Sequence, residues 1–554
     1  MDFRNFEKGL KRLIAGCLKE FNGDFDAALE IPRAKGHGDL SSNVALQLAG
    51  RIGKRPMEYA ALLAARINDA LKASPLKRDI DRAEAKEPGF INFWFSENRL
   101  FETLDYIVRH EKAYGSLNMG KRKRVNIEFV SANPTGPLTI AHGRQAAFGD
   151  TLANILTRAD YRVTREYYLN DEGNQIELLA RSVRAAYLGL MDIPCEAPKD
   201  GYKGSYITDI AREIKDRYGA RFAKRESLRF FADFGCKRII EGIKKDLKDF
   251  NVDFDIWYSQ KKLSTSGRIK NGLRFLRRKN LLYEKGGATW FRSSQYGDEK
   301  DRVVIKSTGE YTYLAPDIAY HMHKFKRGFE NIIDIWGPDH HGYIPRIKAA
   351  VKTFASKKAS LKVLIVQLST LYKEGKPVRM STRAGEFITL RDLIQEVGRD
   401  VARFFFLTRK RDSHLDFDLE LAKRHSMDNP VYYIQYAHAR ICSLLKYRKQ
   451  KKGKAASGAA PKRSCLKSED DIAVIKLLGR FPFVIGLCAR NLEVFPLISY
   501  LEETAAAFHS YYDRHRIVTD DARLTEARLF LCLAIRIVLA GGLKLLGAAS
   551  PESM

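Results

Sequence analysis

The alternation of apolar and polar positions predicts a buried strand, a tight loop and a helix in the first third of the chain. Val125, Ile127 and Phe129 alternate with polar residues, as expected for a strand. The residues that follow, Asn-Pro-Thr-Gly-Pro at 133–137, break any regular element. From Ile140 onward, small and apolar residues recur at helical spacing. The pattern therefore predicts a strand, followed by a loop and then by a helix.

The start of this helix is a candidate phosphate site. Backbone N–H groups in the first turn of a helix lack partners, and the helix dipole favours an anion there. His142 lies in that turn, where its ring could donate a further hydrogen bond. Ala141 and Gly143 have little or no side chain, so an adenine ring or a polyphosphate could lie close to the backbone. We therefore expect a nucleotide ligand.

Hydrophobic periodicity divides the chain into three predicted domains. The first combines amphipathic helices with a strand, the second contains buried strands of the parallel type and an insertion at 190–300, and only helical periodicity remains in the third. A chain of 554 residues is also too long for one core. The predicted domains cover residues 1–112, 113–428 and 429–554.

The composition of the chain indicates the cellular compartment in which the protein works. No apolar run approaches the ~20 residues needed to cross a bilayer, and the first twenty residues interleave charge with Leu and Ile, unlike a secretory signal. The seven cysteines form neither a Cys-x-x-Cys pair nor a Cys/His ligand pattern. We therefore expect a cytoplasmic protein with no membrane partner, no structural metal and no disulfide framework.

The net charge of +29, from 96 Lys and Arg against 67 Asp and Glu, is spread along the chain. Such an excess is typical of proteins that bind nucleic-acid phosphates. A basic composition throughout the organism's proteins would explain it equally well, because net charge carries no sequence specificity.

The run Glu-Phe-Val-Ser-Ala-Asn-Pro-Thr-Gly-Pro at 128–137, followed by His142, resembles the signature region of the class I aminoacyl-tRNA synthetases and, among them, the arginyl-tRNA synthetases. Downstream runs at 168–175, 311–321 and 400–418 extend the resemblance over nearly the whole chain. It implies an α/β fold class: a Rossmann-type parallel-sheet catalytic domain, an α+β N-terminal add-on domain that contacts tRNA, and an all-helical C-terminal anticodon-binding domain.

The signature departs from the family at two positions. The family usually has His, Gly and His where this chain has Thr139, Ala141 and His142. Thr139 keeps a hydroxyl donor but cannot carry positive charge, and Ala141 adds a methyl group where adenine would pack on bare backbone. We expect a working adenylation site, slower if position 139 limits its rate.

A second motif resembles the KMSKS loop, which in class I synthetases closes over the triphosphate and stabilises charge as pyrophosphate leaves. Met380 and Ser381 match it, whereas its second Lys is Thr382 here. Arg379 and Arg383 are the candidates for the missing positive charge. The resemblance thus implies five catalytic residues: Thr139, His142, Arg379, Ser381 and Arg383.

The resemblance also implies substrate pockets. A guanidinium pairs bidentately with a carboxylate, and the arginine pocket maps onto Glu128, Ser131, Asn133, Tyr313 and Asp317. Without the resemblance, Tyr313 would be interpreted as core packing and Asp317 as a helix cap. ATP, entering with Mg²⁺ as a substrate complex, would contact Ala132, Pro134, Gly136, Ala141, Gly143, Asp339, His340 and Met380.

Two further patterns leave alternatives open. His340 and His341 could suggest a metal, but no third ligand stands at a suitable spacing. Asp171 and Asn174 are as easily a helix-capping pair as ligands, although the family has a similar run there.

The C-terminal part carries candidate tRNA contacts. Tyr432, Tyr436 and Arg440 lie along one predicted helix, where they could stack on unpaired bases, although aromatic residues at such spacing are more often core. The resemblance assigns these residues and Met554 to tRNA binding. The Lys-rich segment 446–462 is interpreted as a solvated linker that could also contact RNA.

The resemblance as a whole implies a monomeric arginine–tRNA ligase acting on L-arginine, ATP and tRNA(Arg), and needing bound tRNA before it activates arginine. Two alternatives remain. One is a tRNA-binding protein that lost activity through the departures in both motifs, which the retained arginine pocket argues against. The other is a class I ligase for a different amino acid.

Overall fold

The computed structural model describes residues 3–21, 25, 27–32, 36–53, 55–224, 227–378, 388–452 and 463–554. Its α-helices, in chain order, are α1 Phe3–Cys17, α2 Val44–Ile52, α3 Pro56–Lys72, α4 Glu97–His110, α5 Ile140–Arg158, α6 Asn174–Gly189, α7 Ser205–Tyr218, α8 Arg229–Asp249, α9 Gln260–Thr265, α10 Arg268–Arg278, α11 Leu314–Lys326, α12 Ile344–Phe354, α13 Leu390–Val397, α14 Arg399–Phe406, α15 Leu419–Lys423, α16 Pro430–Lys452, α17 Glu469–Gly479, α18 Phe481–Asn491, α19 Phe495–Arg514 and α20 Ala522–Leu545. Its strands are β1 Leu40–Ser42, β2 Ile80–Lys86, β3 Phe90–Phe95, β4 Arg124–Glu128, β5 Arg162–Leu169, β6 Ile256–Ser259, β7 Leu282–Lys285, β8 Ala288–Phe291, β9 Arg302–Ile305, β10 Asn331–Trp336, β11 Ser360–Ile365, β12 Ser369–Lys373, β13 Lys376–Pro377 and β14 Leu415–Asp418.

A parallel sheet forms the centre of the catalytic part. Among the described residues it has five strands in the order β11-β10-β4-β5-β6, each parallel to its neighbours. Numbered by appearance along the chain, these strands have the spatial order 3-2-1-4-5 of a Rossmann-type sheet. The order reverses between β4 and β10, where ligands of such sheets bind. The predicted fold class is confirmed.

Strand β4 is buried on both faces. Ile127 is inaccessible, and the polar residues Asn126 and Glu128 are only 0% and 7% exposed. Helices cover both sides of a central parallel strand, so its polar side chains need partners inside the protein. Asn126 finds one in Glu166 on β5, to which it donates at 3.1 Å. The alternation predicted the strand but not the burial of its polar face.

The N-terminal residues form a separate core around the antiparallel sheet β1-β3-β2 and helices α1 to α3. That core ends at Phe93. Helix α4 packs elsewhere, because Leu100, Leu104 and Ile107 lie in the core shared by the catalytic and helical parts. The helix that leads to residue 112 thus joins the larger core rather than the N-terminal one.

Helices α16 to α20 build the C-terminal part. By length and hydropathy the stretch 469–491 could cross a membrane, but it folds as α17 and α18, and 61% of its most apolar window is buried in the protein. Its apolar residues pack in the core that the catalytic and helical parts share. The predicted linker at 446–462 begins as helix instead, since α16 runs to Lys452 through good helix formers. Residues 453–462 lie outside the described part of the chain.

The end of the chain is tied to the catalytic part. The buried Arg403 donates to the carbonyl of Leu546 and to the carboxylate of Asp150, each at 2.7 Å. The N–H of Ala549 donates to Asp400 at 2.8 Å. Because Asp150 belongs to α5, the last residues of the chain reach the helix that begins at the predicted site.

Candidate active site

The loop after β4 turns through left-handed backbone. Val130 and Ser131 have φ angles of 67° and 40°, which residues with side chains rarely adopt. The Ser131 hydroxyl donates to Glu128 at 3.2 Å and accepts the N–H of Tyr168 at 3.0 Å. These bonds hold the turn and place Ser131 against Glu128, as the predicted arginine pocket requires.

His142 stands in the first turn of α5 with its tautomer fixed. Its Nδ1 accepts the backbone N–H of Thr139 at 3.1 Å, so the proton of the neutral ring lies on Nε2. Burial lowers the pKa of His142 to about 4. The ring is therefore a neutral donor at the amino end of a helix, which suits a phosphate oxygen. Thr139 lies just before α5, as its N-cap.

Glu128 is already paired within the protein. One of its oxygens accepts from Ser131, and the other accepts from Lys324 at 2.5 Å and lies 2.8 Å from the Tyr320 hydroxyl, which is nearer to Glu166 at 2.6 Å. Glu128 is only 7% exposed, and its charge is already balanced by Lys324. A direct arginine contact at Glu128 stays a prediction.

A buried charge network clamps α11 to the sheet. Lys324 and His321 each lie 2.8 Å from Asp334 on β10, and Arg327 donates twice to Glu166 on β5. Burial alone would lower the pKa of Lys324 and raise that of Asp334. Opposite charge outweighs burial in both, so the pKa of Lys324 is raised and that of Asp334 falls to about 2. The network fixes α11, whose first turn carries Asp317.

Asp317 makes no ion pair within the described residues, and its contact with the arginine substrate stays a prediction. It accepts the Tyr343 hydroxyl at 2.6 Å and caps no helix, so the capping alternative is wrong. Burial raises its pKa, against the opposing effect of the Tyr343 hydrogen bond. Tyr313 stands at the start of α11 with 78% of its surface exposed, so the core-packing alternative is wrong as well.

A cleft of about 470 Å³ opens in front of the signature loop. It brings together five of the predicted residues: Ala132, Asn133, Gly136, Thr139 and His142. Its opposite wall comes from residues that sequence reasoning missed: Gln175, Asp200, Tyr202 and Tyr206. Asn133 donates across the cleft to Gln175 at 2.7 Å. The last three lie in the insertion at 190–300, which contains no recognised motif.

Two glycines of the signature have packing reasons. A Cβ on Gly143 would lie 2.8 Å from Leu390 and 2.9 Å from Phe406, and one on Gly136 would lie 3.1 Å from the Tyr206 hydroxyl. Close packing of α5 on its neighbours thus requires a glycine at position 143, whether or not a nucleotide approaches it. ATP contacts at these glycines stay predictions.

The carboxyl end of β10 faces the start of α5. A Cβ on Gly337 would lie 3.4 Å from the side chain of Gln145. The 3₁₀ turn Pro338–Tyr343 follows, with Asp339 and His340 exposed at the point where the strand order reverses. Across the described residues, no three His, Cys, Asp or Glu side chains gather as a metal site. The geometry favours a nucleotide crevice here.

Three family models match the chain in order: the arginyl tRNA synthetase N terminal domain at 7–95, the class I (R) tRNA synthetase catalytic domain at 103–420, and the DALR anticodon binding domain at 434–554. An arginine–tRNA ligase of Syntrophotalea carbinolica is 45% identical over 98% of this chain and 97% of its own. The chain belongs to the arginyl-tRNA synthetase family. It is a class I synthetase, and hence a ligase.

Other relatives agree. An arginine–tRNA ligase 1 of Halalkalibacterium halodurans is 44% identical over 96% of this chain and 94% of its own. The structure titled Thermus thermophilus arginyl-tRNA synthetase has the same fold, with a TM-score of 0.76, 21% identity and coverage of 99% of this chain and 100% of that one. Family membership removes the alternative of a class I ligase for another amino acid.

The KMSKS-like residues of the synthetase, Arg379, Met380, Ser381 and Arg383, lie outside the described residues. The segment that follows them returns to the site. Thr389 pairs with Thr139 in an isolated bridge, and the N–H of Leu390 donates to Leu138 at 2.8 Å. The start of α5 therefore adjoins the chain on the far side of that motif.

Arg144 of the synthetase supports the strand before the motif. Its guanidinium donates to the carbonyls of Gln367, Leu368 and Lys410 at 2.9, 3.2 and 3.0 Å. Burial lowers the pKa of Arg144 to about 10. A side chain from the second turn of α5 thus fixes the approach to β12.

The predicted tRNA contacts form a half-buried aromatic row on α16. The rings of Tyr432 and Tyr436 are nearly parallel, at 8° and 6.2 Å, and His509 stacks on Tyr436 at 5.9 Å. Arg440 lies over Tyr512 at 3.9 Å. Tyr432, Tyr436 and Arg440 are each half-buried, unlike the fully buried residues of the core. Met554 is 51% exposed at the end of the synthetase.

Asp171 does not cap α6. Its carboxylate accepts the hydroxyl of Ser259 at 2.6 Å and the N–H of Lys261 at 2.9 Å, and so joins the end of β5 to the start of α9. The capping alternative is wrong, because the partners lie about 90 positions away in the chain.

Proposed function

We propose that this synthetase activates L-arginine with ATP and transfers it to the 3′ adenosine of tRNA(Arg) in the crevice between α5 and the end of β10. The observation that carries this is the neutral Nε2–H donor of His142 at the amino end of α5, at the reversal point of the sheet. Such a donor and the free N–H groups of the first helical turn can hold the α-phosphate of ATP.

The proposed chemistry has two steps without a covalent enzyme intermediate. A carboxylate oxygen of arginine attacks the α-phosphorus, the bond to the β-phosphate oxygen breaks, and pyrophosphate leaves. A ribose hydroxyl of the terminal adenosine then attacks the arginyl carbonyl, and AMP leaves. Catalysis comes from positioning and from charge stabilisation by Thr139, His142, Arg379, Ser381 and Arg383.

Arginine recognition is assigned mainly to Asp317. Its carboxylate is the one in the predicted pocket without a resident cation, whereas Glu128 is paired to Lys324. Asn133 and Tyr313 complete the proposed pocket with Ser131 and Glu128. Mg²⁺ enters bound to ATP, around which Ala132, Pro134, Gly136, Ala141, Gly143, Asp339, His340 and Met380 stay proposed contacts.

For tRNA we propose Tyr432, Tyr436, Arg440 and Met554 as contacts, with domains at 1–112, 113–428 and 429–554. The parallel rings and the guanidinium of Arg440, which lies over Tyr512, suit unpaired anticodon bases. We also propose a monomer that works in the cytoplasm.

Arginine-dependent ATP–pyrophosphate exchange tests this function, run with and without tRNA(Arg). We expect exchange only when tRNA is present. Exchange without tRNA would contradict the proposed order of binding, and no exchange under either condition would leave the tRNA-binding protein that has lost catalysis.

A further inference from the structure

A tyrosine of the insertion reaches into the signature loop. Tyr206, in the first turn of α7, donates its hydroxyl to the carbonyl of Thr135 at 2.8 Å. The two residues are 71 positions apart in the chain. Burial raises the pKa of Tyr206, so the hydroxyl stays protonated and remains a donor.

Two glycines lie against the side chain of Tyr206. A Cβ on Gly204 would lie 2.4 Å from the ring of Tyr206, and one on Gly136 would lie 3.1 Å from its hydroxyl. Real Cβ atoms rarely come within these distances, so side chains at either glycine would push the tyrosine away from Thr135. The absence of a side chain on both sides favours one fixed position for the hydroxyl.

The hydrogen bond from Tyr206 lies in a part of the signature loop that makes few other hydrogen bonds to the rest of the protein. Before it, Tyr167 donates to the carbonyl of Ala132 at 3.0 Å, and after it the N–H of Leu390 donates to Leu138 at 2.8 Å. Within the described chain, Tyr206 makes the one hydrogen bond that joins another segment to residues 134–137. The N–H of Thr135 in turn donates to the carbonyl of Asn133 at 2.8 Å, so a shift at Thr135 is passed to Asn133.

We propose that Tyr206 is a positioning residue for arginine activation, acting from the insertion through Thr135 on Asn133 and on the start of α5. This rests on the proposed function of the cleft. Tyr206 touches no reacting atom in the proposal. Its hydroxyl narrows the positions that the loop can adopt, and a loop held in one position keeps the carboxylate of arginine in line with the α-phosphate.

Tyr206→Phe tests the proposal, because it removes the hydroxyl and keeps the ring. Tyr187→Phe is the control: Tyr187 is buried on α6, and away from the cleft its hydroxyl donates to the carbonyl of Gly219 at 2.6 Å and accepts the N–H of Phe222 at 3.3 Å. Because it loses two hydrogen bonds, Tyr187→Phe should lose at least as much thermal stability as Tyr206→Phe. In tRNA-dependent exchange, Tyr206→Phe should lose about tenfold in kcat/KM for arginine, the size expected from one lost hydrogen bond, while Tyr187→Phe keeps the wild-type value.

Equal activity losses in the two variants would overturn the proposal. Should Tyr206→Phe not fold, Gly204→Ala displaces the same ring by steric contact, lies outside the proposed ATP contacts and is expected to show the same loss. If both fold, the double variant should lose no more activity than the single ones, because both break one interaction. Additive losses would count against it.

Amide hydrogen exchange separates this proposal from the function of the cleft. The amides of residues 135, 136 and 138 should exchange faster in Tyr206→Phe than in Tyr187→Phe, whether or not the wild-type protein activates arginine. An unchanged exchange rate at these residues would overturn the proposal even in an active enzyme. An inactive wild type with faster loop exchange in Tyr206→Phe would instead overturn the proposed function alone.

Discussion

The backbone N–H of Thr139 donates to Nδ1 of His142 at 3.1 Å, which leaves Nε2–H as the free donor of the ring. The Thr139 hydroxyl lies 3.1 Å from the same Nδ1, so the side chain at position 139 contributes to this contact as well. Because the backbone N–H is present whatever the side chain, the departure from the family's first His keeps one of the two contacts that orient the second. The positive charge of the family's first His is lost.

Thr139→His should raise the rate of arginine activation, because it restores a cationic donor beside the triphosphate while the backbone N–H of residue 139 still orients His142. Tyr187→Phe, a substitution away from the cleft, serves as the control and should keep the wild-type activation rate. Pre-steady-state formation of arginyl-adenylate measures the rate, and a slower variant would contradict our interpretation of position 139.

His142→Ala should lower the activation rate by about 10²–10³, the usual effect of removing one donor to a developing charge. His142→Gln keeps a neutral N–H at the distal position and should retain more activity than Ala. Comparing kcat for pyrophosphate exchange in the two variants tests this. Equal losses would show that the Nε2 donor has no role.

The pH dependence follows from the same ring. The pKa of His142 is about 4 in the folded protein, below its ordinary value of 6.5, so the unfolded chain binds the proton more tightly. The stability from the neutral ring is complete above pH 6.5 and is lost as the pH falls through 4. Urea titrations between those values should show a smaller decline for His142→Gln than for the wild type.

Asp317→Asn should reduce kcat/KM for arginine by roughly ten- to a hundredfold, since a charged hydrogen bond contributes about 1.5–3 kcal/mol. Glu128→Gln should instead mainly lower thermal stability, because it leaves the buried Lys324 without one of its two carboxylates. Steady-state kinetics with melting curves separates the two effects. A larger arginine effect in Glu128→Gln would reverse our assignment.

Arg383→Ala should lower tRNA-dependent pyrophosphate exchange, because Arg383 is a candidate for the charge missing at Thr382. Lys358, an exposed lysine beyond α12, offers a charge-matched control as Lys358→Ala. An unchanged exchange rate in Arg383→Ala would remove this residue from the mechanism.

The hydrophobic periodicity and the Pro and Gly residues of one continuous segment were enough to predict β4, the loop and α5. Both signals depend only on residues that are neighbours in the chain. The left-handed Val130 and Ser131 could not be predicted, since a β-branched residue rarely adopts such φ angles. Distant partners hold them there, such as Tyr168.

Ion pairs between residues that are distant in the chain could not be predicted either. Glu128 carries the expected carboxylate, but its pairing with Lys324, 196 positions away, is visible only in the fold. Tyr206 was missed for that reason too, because its partner Thr135 lies on a different segment and no motif surrounds it. The residues of a site can be predicted from a family signature, whereas their supports depend on tertiary contacts.

The most direct test of the account is to charge total tRNA with each of several radiolabelled amino acids, using the purified protein, ATP and Mg²⁺. We predict that arginine alone becomes attached to tRNA, which would also show that Thr139 and Thr382 are tolerated. Tight binding of tRNA without any charging would contradict the account and identify a tRNA-binding protein that has lost its catalytic activity.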